Sequence, residues 1–370
     1  MPPVSVLKIP GTEIPKLRRR LLAWFANRKR DLPWRRTGDP YRIWISEIML
    51  QQTRVAAVIP YYEQFVAKFP TLRSLARART ETVLGRWAGL GYYRRARNLH
   101  LAAKEISARH GGRFPRSYEA ALALPGIGRY TAAAVLSIAY GVPLAVLDGN
   151  VARVLARLGA VRGDLRAPAR WRELERSAQK LLARQAAGDW NQAMMELGAM
   201  VCTPKSPRCG ECPAAAWCRA RKLGLADQIP APRKRRTTLH VTLAAAVLLD
   251  KQGRTLLVRQ TRGGSALFSR MWQFPALETT ADAASDLTRY LHKNFRITVN
   301  GDLTPLESVR HTVTFRDVRL VPFVIRVARL PRIEGARTAV LQGFGNLPIS
   351  NATRKIAQAA LADLARQSNK

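Results

Sequence analysis

Two kinds of apolar spacing follow each other along the chain. As far as about residue 201, apolar residues recur every three or four positions, which predicts amphipathic helices, the first at 15–27 and a longer one at 39–65. Beyond residue 239 the pattern changes to alternating or continuous apolar runs, which are typical of strands. These runs span 240–249, 255–259 and 318–327, with a helical stretch at 284–294. We therefore predict a multidomain protein in which an all-α domain precedes an α+β domain.

A basic, proline-rich segment with the sequence QIPAPRKRRTT separates the two patterns. With 370 residues the chain is long enough to form two separate cores. We predict a helical domain at 1–227, a linker at 228–239 and an α+β domain at 240–365.

The charge balance indicates a polyanionic partner. The chain has 62 Lys and Arg residues against 25 Asp and Glu, a formal net charge of +37, which is far more than solubility requires. Nucleic acid is the first candidate, although charge alone equally suits contact with a ribosome or a membrane surface. No apolar run approaches the roughly 18 residues of a membrane span, and no signal peptide is evident. We expect a soluble, monomeric, cytoplasmic and nucleoid-associated protein of bacterial type, without membrane contact.

A glycine-containing turn, LPGIG at 124–128, joins two helical patterns. Gly126 and Gly128 permit positive φ and leave the backbone open, so N–H groups of the turn and of the next helix can point at a phosphate. An ordinary tight turn between helices explains the pentapeptide equally well. Downstream, Asp148 lies at a predicted helix start, where the helix dipole and free N–H groups favour the ionised carboxylate. Alone, Asp148 would be a plain N-cap.

Glu47 lies on the predicted helix at 39–65, on a face shared with Ile43, Trp44 and Leu50. Desolvation on this largely apolar face should raise the pKa of Glu47, as a general acid near neutral pH requires. One protonated and one ionised carboxyl is the usual way in which two acids divide proton donation and electrostatic stabilisation. A surface Glu at the helix edge is the alternative.

Two short segments before and on this helix carry side chains suited to DNA. The indole of Trp34 can stack on a base while the guanidinium of Arg35 binds a phosphate, although packing better explains an isolated pair. Gln52 and Thr53, on the predicted continuation of the helix, can hydrogen-bond to base edges.

The segment GLGYY at 89–93 has the composition of a wedge between bases. Its glycines allow a close approach of the backbone to DNA, while Leu90 and Tyr92 can project into the base stack. Aromatic packing in the core is the alternative, and it fits Tyr93 better than Tyr92.

The four cysteines of the chain all lie within 202–218, at Cys202, Cys209, Cys212 and Cys218. Their confinement favours a shared metal site over disulfides or inert thiols. A zinc ribbon would normally show two separated Cys-x-x-Cys pairs, and only one pair is present.

The hairpin followed by Asp148 resembles the helix-hairpin-helix superfamily of DNA glycosylases. DLPWR, SEIMLQQT and VLDGNV together are characteristic of adenine DNA glycosylases of the MutY type, and the resemblance covers roughly 16–350. It implies an all-α glycosylase domain with a helix-hairpin-helix at about 122–135 and a 4Fe-4S cluster on the cysteine loop. It also implies catalysis by Glu47 and Asp148, with Tyr130 and Asn150 positioning the carboxylates. Tyr130 stands where strand-cleaving members have a lysine, and a phenol cannot form a Schiff base.

The resemblance also assigns contacts with DNA. It gives intercalation to Gln52, Leu90 and Tyr92, and contact with the flipped adenine to Gln192. It implies a Nudix-like C-terminal domain, which in the family recognises 8-oxoguanine through a Phe-Ser-His loop. In this chain the aligned positions are 313–315, and only Thr314 retains a hydroxyl. The paired glutamates of a Nudix magnesium site are missing, so we do not expect pyrophosphohydrolase activity.

Beside these features, the resemblance implies a monofunctional base-excision repair glycosylase. We expect it to hydrolyse the N-glycosidic bond of adenine opposite 8-oxoguanine or guanine in double-stranded DNA. Two alternatives are a lesion-binding protein without catalysis and a related enzyme that removes thymine from G·T mismatches. The presence of both Glu47 and Asp148 argues against the first, and the complete SEIMLQQT motif with the C-terminal domain argues against the second.

Overall fold

The computed structural model describes residues 7–231, 237–259, 271–280, 282–299, 303–313, 315–344 and 347–368. The chain divides into two compact units, one formed by Met1–Arg77 with Arg97–Lys234 and the other by Ala78–Ala96 with Arg235–Lys370. No helix in the described ranges is long and apolar enough to cross a membrane.

The chain before residue 223 is helical, as predicted. Its helices are α1 (Ile14–Arg28), α2 (Pro40–Leu50), α3 (Val55–Lys68), α4 (Leu72–Arg77), α5 (Thr80–Arg86), α6 (Arg94–Arg109), α7 (Tyr118–Leu122), α8 (Arg129–Tyr140), α9 (Gly149–Gly159), α10 (Pro168–Leu181), α11 (Ala187–Met200) and α12 (Arg219–Lys222). Asp39 caps α2 as predicted, because its carboxylate accepts a hydrogen bond from the Tyr41 N–H at 2.9 Å.

The prediction of one continuous helix at 39–65 is wrong, because a turn at 51–54 separates α2 from α3. Gln52 adopts the left-handed conformation with φ of 59°, which ends the helical hydrogen-bond pattern. The Thr53 N–H then bonds back to the Leu50 carbonyl at 3.3 Å. The turn brings the side chains of 51–53 to the end of α2.

The core of the first unit lies between α1, α8, α9, α10 and α11. Leu21, Leu155, Trp190 and Leu197 are all buried in this cluster. Gly188 explains how closely α11 approaches α8: a Cβ at this position would lie 2.7 Å from the Ser137 carbonyl oxygen. Close packing of these helices fixes the walls of the cavity described below.

Within the described ranges, the second unit is built on a seven-stranded mixed sheet flanked by helices. Its elements are β1 (Leu239–Leu249), β2 (Arg254–Val258), β3 (Ala276–Glu278), α13 (Ala283–Phe295), β4 (Thr304–Pro305), β5 (Val309–Val313), β6 (Arg316–Arg326), β7 (Ala336–Val340) and α14 (Asn351–Ser368). The strand order is β4-β6-β1-β2-β7, with β3 paired to β1 and β5 to β6. Strands β1 and β6 are parallel, from the pair Leu239 and Arg316 to the pair Leu249 and Arg326.

Alternation along β1 places a helix on each face of this sheet. Ala246 and Leu248 belong to the core cluster that contains Leu287 and Leu291 of α13. Residues of the opposite parity, such as Val247, belong to the cluster that contains Ile356 and Ala360 of α14. The α+β character predicted from the sequence is therefore confirmed.

The segment 78–96 groups with the C-terminal residues, although the predicted helical domain included it. The Tyr93 hydroxyl donates to the Ile349 carbonyl and accepts from the Gly89 N–H, both at 3.1 Å. Asn351 Nδ2 donates to the Gly89 carbonyl at 3.3 Å. Sequence position alone does not reveal this grouping, because its partners are more than 250 residues away.

Candidate active site

The residues predicted to be catalytic meet at one cavity of about 490 Å³ in the helical unit. This volume is in the range of small-molecule sites. Of the predicted site residues, those that line it are Trp34, Arg35, Glu47, Gln52, Thr53, Tyr130, Asp148, Asn150 and Gln192. Leu90, Tyr92, Gly126 and Gly128 are not among its lining residues.

Glu47 occupies the buried face of α2, as its apolar neighbours predicted. It is 5% exposed, and burial raises its pKa to about 7, with a further contribution from the nearby Asp148 charge. The Tyr130 hydroxyl donates a 2.7 Å hydrogen bond to Glu47 Oε2, which partly offsets this rise. Glu47 is thus a carboxyl that holds a proton near neutral pH.

Asp148 caps α9 and faces the same cavity. One carboxylate oxygen accepts from the Val151 N–H at 2.7 Å and the other from Asn150 Nδ2 at 3.2 Å. The helix start favours the ionised carboxylate as expected, because these hydrogen bonds lower the pKa of Asp148, but burial has the larger effect and raises the pKa above its ordinary value. Because the charge of Asp148 also raises the pKa of Glu47, an ionised Asp148 keeps Glu47 protonated.

The start of α9 is held against α11 by two residues that the sequence did not single out. A Cβ at Gly198 would lie 2.6 Å from the Asn150 Cβ, so only glycine permits this approach. Arg153 Nη2 donates to Asn150 Oδ1 at 2.9 Å and to the Gly198 carbonyl at 2.8 Å, and its Nε donates to the Cys202 carbonyl at 2.8 Å. These contacts fix the backbone that carries Asp148.

A buried carboxylate, Glu196, binds two arginines at the cavity wall. Arg30 and Arg35 each make bidentate hydrogen bonds to it at 2.7–3.1 Å. The Arg35 guanidinium, predicted to bind a phosphate, is hydrogen-bonded to Glu196 in this structure, and its contact with DNA stays a prediction. Glu196 could have been noticed from its spacing, since it lies one helical turn after Gln192 on α11.

Trp34 both packs and borders the cavity. Its ring meets Tyr62 edge-on at 5.4 Å, and the residue is 7% exposed. The packing interpretation and the binding interpretation of Trp34 are compatible, because a buried indole can still present one edge to the cavity. In the turn at 51–54, Gln52 is exposed, and Gln51 donates to Thr131 Oγ1 at 3.3 Å.

The hairpin between α7 and α8 differs in one respect from the expectation. Gly126 has φ of 76°, and a Cβ there would lie 2.6 Å from the Asn98 Cβ, but Gly128 has φ of −98°. Gly128 is instead an exposed, extended N-cap with nothing within 4 Å of its Cβ position. The backbone there is open to a ligand, next to the first-turn N–H groups that α8 cannot pair internally.

The two side chains expected to form a wedge differ in exposure. Tyr92 is 45% exposed, with φ of 49° and the Arg95 guanidinium 5.4 Å from its ring. Leu90 is 7% exposed, so its expected projection is not present in the structure. Thr314, the remaining predicted DNA contact, lies outside the described residues.

The four cysteines line one small cavity together with Arg157. Arg157 is 1% exposed and donates to Cys202 Sγ at 3.2 Å and to the carbonyls of Thr203 and Ile229 at 2.7 Å. Burial and the neighbouring thiols raise the pKa of Cys212 to about 11. Among the described residues no three His, Cys, Asp or Glu side chains converge on a single ion position. Four cysteine sulfurs around one cavity beside a cation are a donor set that suits an iron-sulfur cluster.

Comparison with known proteins gives the family. Residues 45–184 match the family model of the HhH-GPD superfamily base excision DNA repair protein, which confirms the predicted helix-hairpin-helix. The adenine DNA glycosylase of Rattus norvegicus is 33% identical over 400 residues, covering 93% of this chain and 78% of the rat protein. The chain belongs to the adenine DNA glycosylase family.

Two further comparisons cover a smaller share of the chain. The adenine DNA glycosylase of Homo sapiens is 48% identical over 219 residues, and that match covers 57% of this chain and 40% of the human protein. Among solved structures, a thermostable thymine-DNA glycosylase is 30% identical with a TM-score of 0.53, covering 58% of this chain and 98% of that chain.

Proposed function

We propose that this protein removes adenine from mispairs in double-stranded DNA by hydrolysing the N-glycosidic bond. The observation that carries the proposal is the meeting of Glu47 and Asp148 at one cavity, with Tyr130 bonded to Glu47. A carboxyl protonated near neutral pH and a second carboxyl at a helix start are the two groups that such a reaction needs.

The adenine is extruded from the duplex and enters the cavity, where Trp34 and Gln192 contact it. Glu47 donates its proton to N7, and the electron pair of the C1′–N9 bond leaves with the base. Asp148 stabilises the cationic sugar, either as an ion pair or as a transient adduct, while Asn150 orients the carboxylate. Water then adds to C1′, and its proton returns to Glu47. Tyr130 has no amine, so no Schiff base forms and the strand is left intact.

DNA capture follows from charge and from the hairpin. The net charge of +37 supports a binding constant that falls steeply with salt. The open backbone at Gly128 and the start of α8 are suited to one phosphate. Gln52, Thr53 and Tyr92 are the further side chains that we assign to the duplex.

Two finer features complete the proposal. We assign to the C-terminal unit the recognition of 8-oxoguanine or guanine opposite the adenine, on the basis of the family resemblance. Cys202, Cys209, Cys212 and Cys218 would hold a 4Fe-4S cluster, which when bound would act as a structural clip for the loop. Arg157 would anchor that loop to α9 through its hydrogen bonds.

Release of adenine from synthetic duplexes tests the proposal. Duplexes with adenine opposite 8-oxoguanine, guanine, cytosine or thymine, and one with thymine opposite guanine, are treated with the protein and then with alkali to reveal abasic sites. We expect cleavage opposite 8-oxoguanine and guanine only after alkali, and its loss in Glu47→Gln. Glu63→Gln, the same change at an exposed position of α3, is the control and should remain active. Duplex binding without release from any substrate would support the lesion-binding alternative, and thymine release alone would support the G·T enzyme.

A further inference from the structure

Glu196 and its two arginines form a charged wall that the proposed reaction does not use. The Glu196 side chain is 1% exposed. It accepts from Arg30 N at 3.0 Å, Nε at 2.8 Å and Nη2 at 2.7 Å, and from Arg35 Nη1 at 3.1 Å and Nη2 at 2.9 Å. One carboxylate thus holds two guanidiniums in bidentate geometry. All three residues line the cavity that contains Glu47.

We propose that Glu196 is a positioning residue that neutralises Arg30 and Arg35 beside the cavity and thereby keeps Glu47 protonated at neutral pH. The inference rests on the proposed function, because it concerns the proton donor of that reaction. In this role Glu196 acts on Glu47 through the arginines that it binds.

The charged and titratable groups around Glu47 come from four elements. They are Tyr130 on α8, Asp148 at the start of α9, Glu196 on α11, and Arg30 and Arg35 between α1 and α2. Burial raises the pKa of Glu47, Tyr130 lowers it by its hydrogen bond, Asp148 raises it and Arg35 lowers it. Arg35 is the cation that opposes protonation of Glu47. Because Glu196 is bonded to Arg35, its carboxylate partly neutralises that positive charge.

Glu196 remains ionised throughout the pH range in which Glu47 titrates. Burial alone would raise its pKa, but the hydrogen bonds from Arg30 and Arg35 prevail and lower it to about 2. The wall therefore carries two positive charges and one negative charge at neutral pH. Replacing Glu196 by neutral Gln removes the negative charge, and Arg35 then acts on Glu47 without its partner.

A purely structural role for Glu196 makes a different prediction. Loss of its hydrogen bonds could loosen the segment at 30–35 and reduce activity, but equally at every pH. The charge role instead moves the pH at which activity is lost. A protonated acid is active below its pKa and inactive above it, so a lowered pKa of Glu47 moves this loss to lower pH.

The test compares the pH dependence of single-turnover adenine release in wild type, Glu196→Gln and Arg35→Gln. For Glu196→Gln we expect the pH at which the rate declines to be lower by about one pH unit. At alkaline pH the rate of this variant should then be about tenfold below that of wild type. For Arg35→Gln the pH at which the rate declines should be higher, because a cation is lost while Glu196 stays bonded to Arg30. Opposite shifts cannot arise from structural damage. Glu63→Gln on α3 is the control for loss of a negative charge, and its pH dependence should equal that of wild type.

A second readout does not depend on turnover. The Glu47 carboxyl resonance in protein labelled with [¹³C]glutamate is assigned by its absence in Glu47→Gln and titrated directly. We expect the midpoint of this titration to be lower than in wild type for Glu196→Gln and higher for Arg35→Gln. Midpoints that stay unchanged, or that move in the same direction in both variants, overturn the proposal even if wild type releases adenine. If Glu196→Gln does not fold, a midpoint in Arg35→Gln that is unchanged or lower is sufficient to overturn it. Absence of release by wild type would instead count against the proposed function.

Discussion

Gly198→Ala perturbs the contact that holds the start of α9 against α11. A Cβ at 198 would lie 2.6 Å from the Asn150 Cβ and 3.1 Å from its Cα and C atoms, whereas ordinary contact begins at 3.4 Å. Two of these three atoms belong to the backbone, so rotation of a side chain cannot relieve the clash. The start of α9 must move by about 0.8 Å and carry Asp148 with it. Overpacking of this kind costs about 1–3 kcal/mol of stability, and a displacement near 1 Å lowers the rate about 100-fold.

Single-turnover adenine release from a duplex with adenine opposite 8-oxoguanine measures the rate, with duplex affinity and thermal unfolding followed in parallel. Gly11→Ala is the matched control, because a Cβ at Gly11 would meet nothing within 4 Å. We expect Gly198→Ala to bind DNA like wild type but to release adenine slowly. Gly11→Ala should match wild type in both duplex affinity and release rate. A Gly198→Ala rate within about threefold of wild type would refute the view that this contact positions Asp148, since a 1 Å displacement should cost far more.

Three further changes address separate parts of the molecule. Asp148→Asn should lower the release rate about 100- to 1,000-fold. Its unfolding free energy should fall by less than about 1 kcal/mol, because Asn is also a good N-cap. A large loss of stability with little loss of rate would contradict the assigned role. Tyr92→Ala should keep the unfolding free energy within about 0.5 kcal/mol of wild type. It should weaken binding to a mispaired duplex about tenfold in an anisotropy titration. Unchanged affinity would exclude Tyr92 as a DNA contact. Arg157→Met should lower the unfolding free energy by about 3 kcal/mol or more, because it leaves the carbonyls of Thr203 and Ile229 unpaired. It should also lower the iron content after purification, whereas the more exposed Arg170→Met should do neither. Full iron content and stability in Arg157→Met would contradict the role of Arg157 as an anchor.

The parts of the site that local patterns determine could be predicted from the sequence. Glu47 was identified by its neighbours on one helical face, and the structure buries it. Asp148 was identified as a helix cap, and the Val151 N–H bonds to it. Both inferences need only helical periodicity and the chemistry of helix ends. The change from helical to strand periodicity near residue 239 likewise located the α+β unit.

The parts that depend on distant contacts could not be predicted in the same way. Glu196 and Arg30 are 166 residues apart, and no local pattern relates them. The Gly198 contact with Asn150 and the grouping of 78–96 with C-terminal residues are of the same kind. The pKa of Asp148 illustrates the same limit. The sequence shows the helix start that favours the anion but not the burial that outweighs it.

The pH dependence of adenine release tests most directly whether Glu47 is the proton donor. Its pKa of about 7 predicts a single-turnover rate that falls about tenfold per pH unit above that value. The fall should vanish in Glu47→Gln, whose rate should be low at every pH. A wild-type rate that rises with pH, or that stays constant from about pH 6 to 9, would contradict the assignment of Glu47 as the acid.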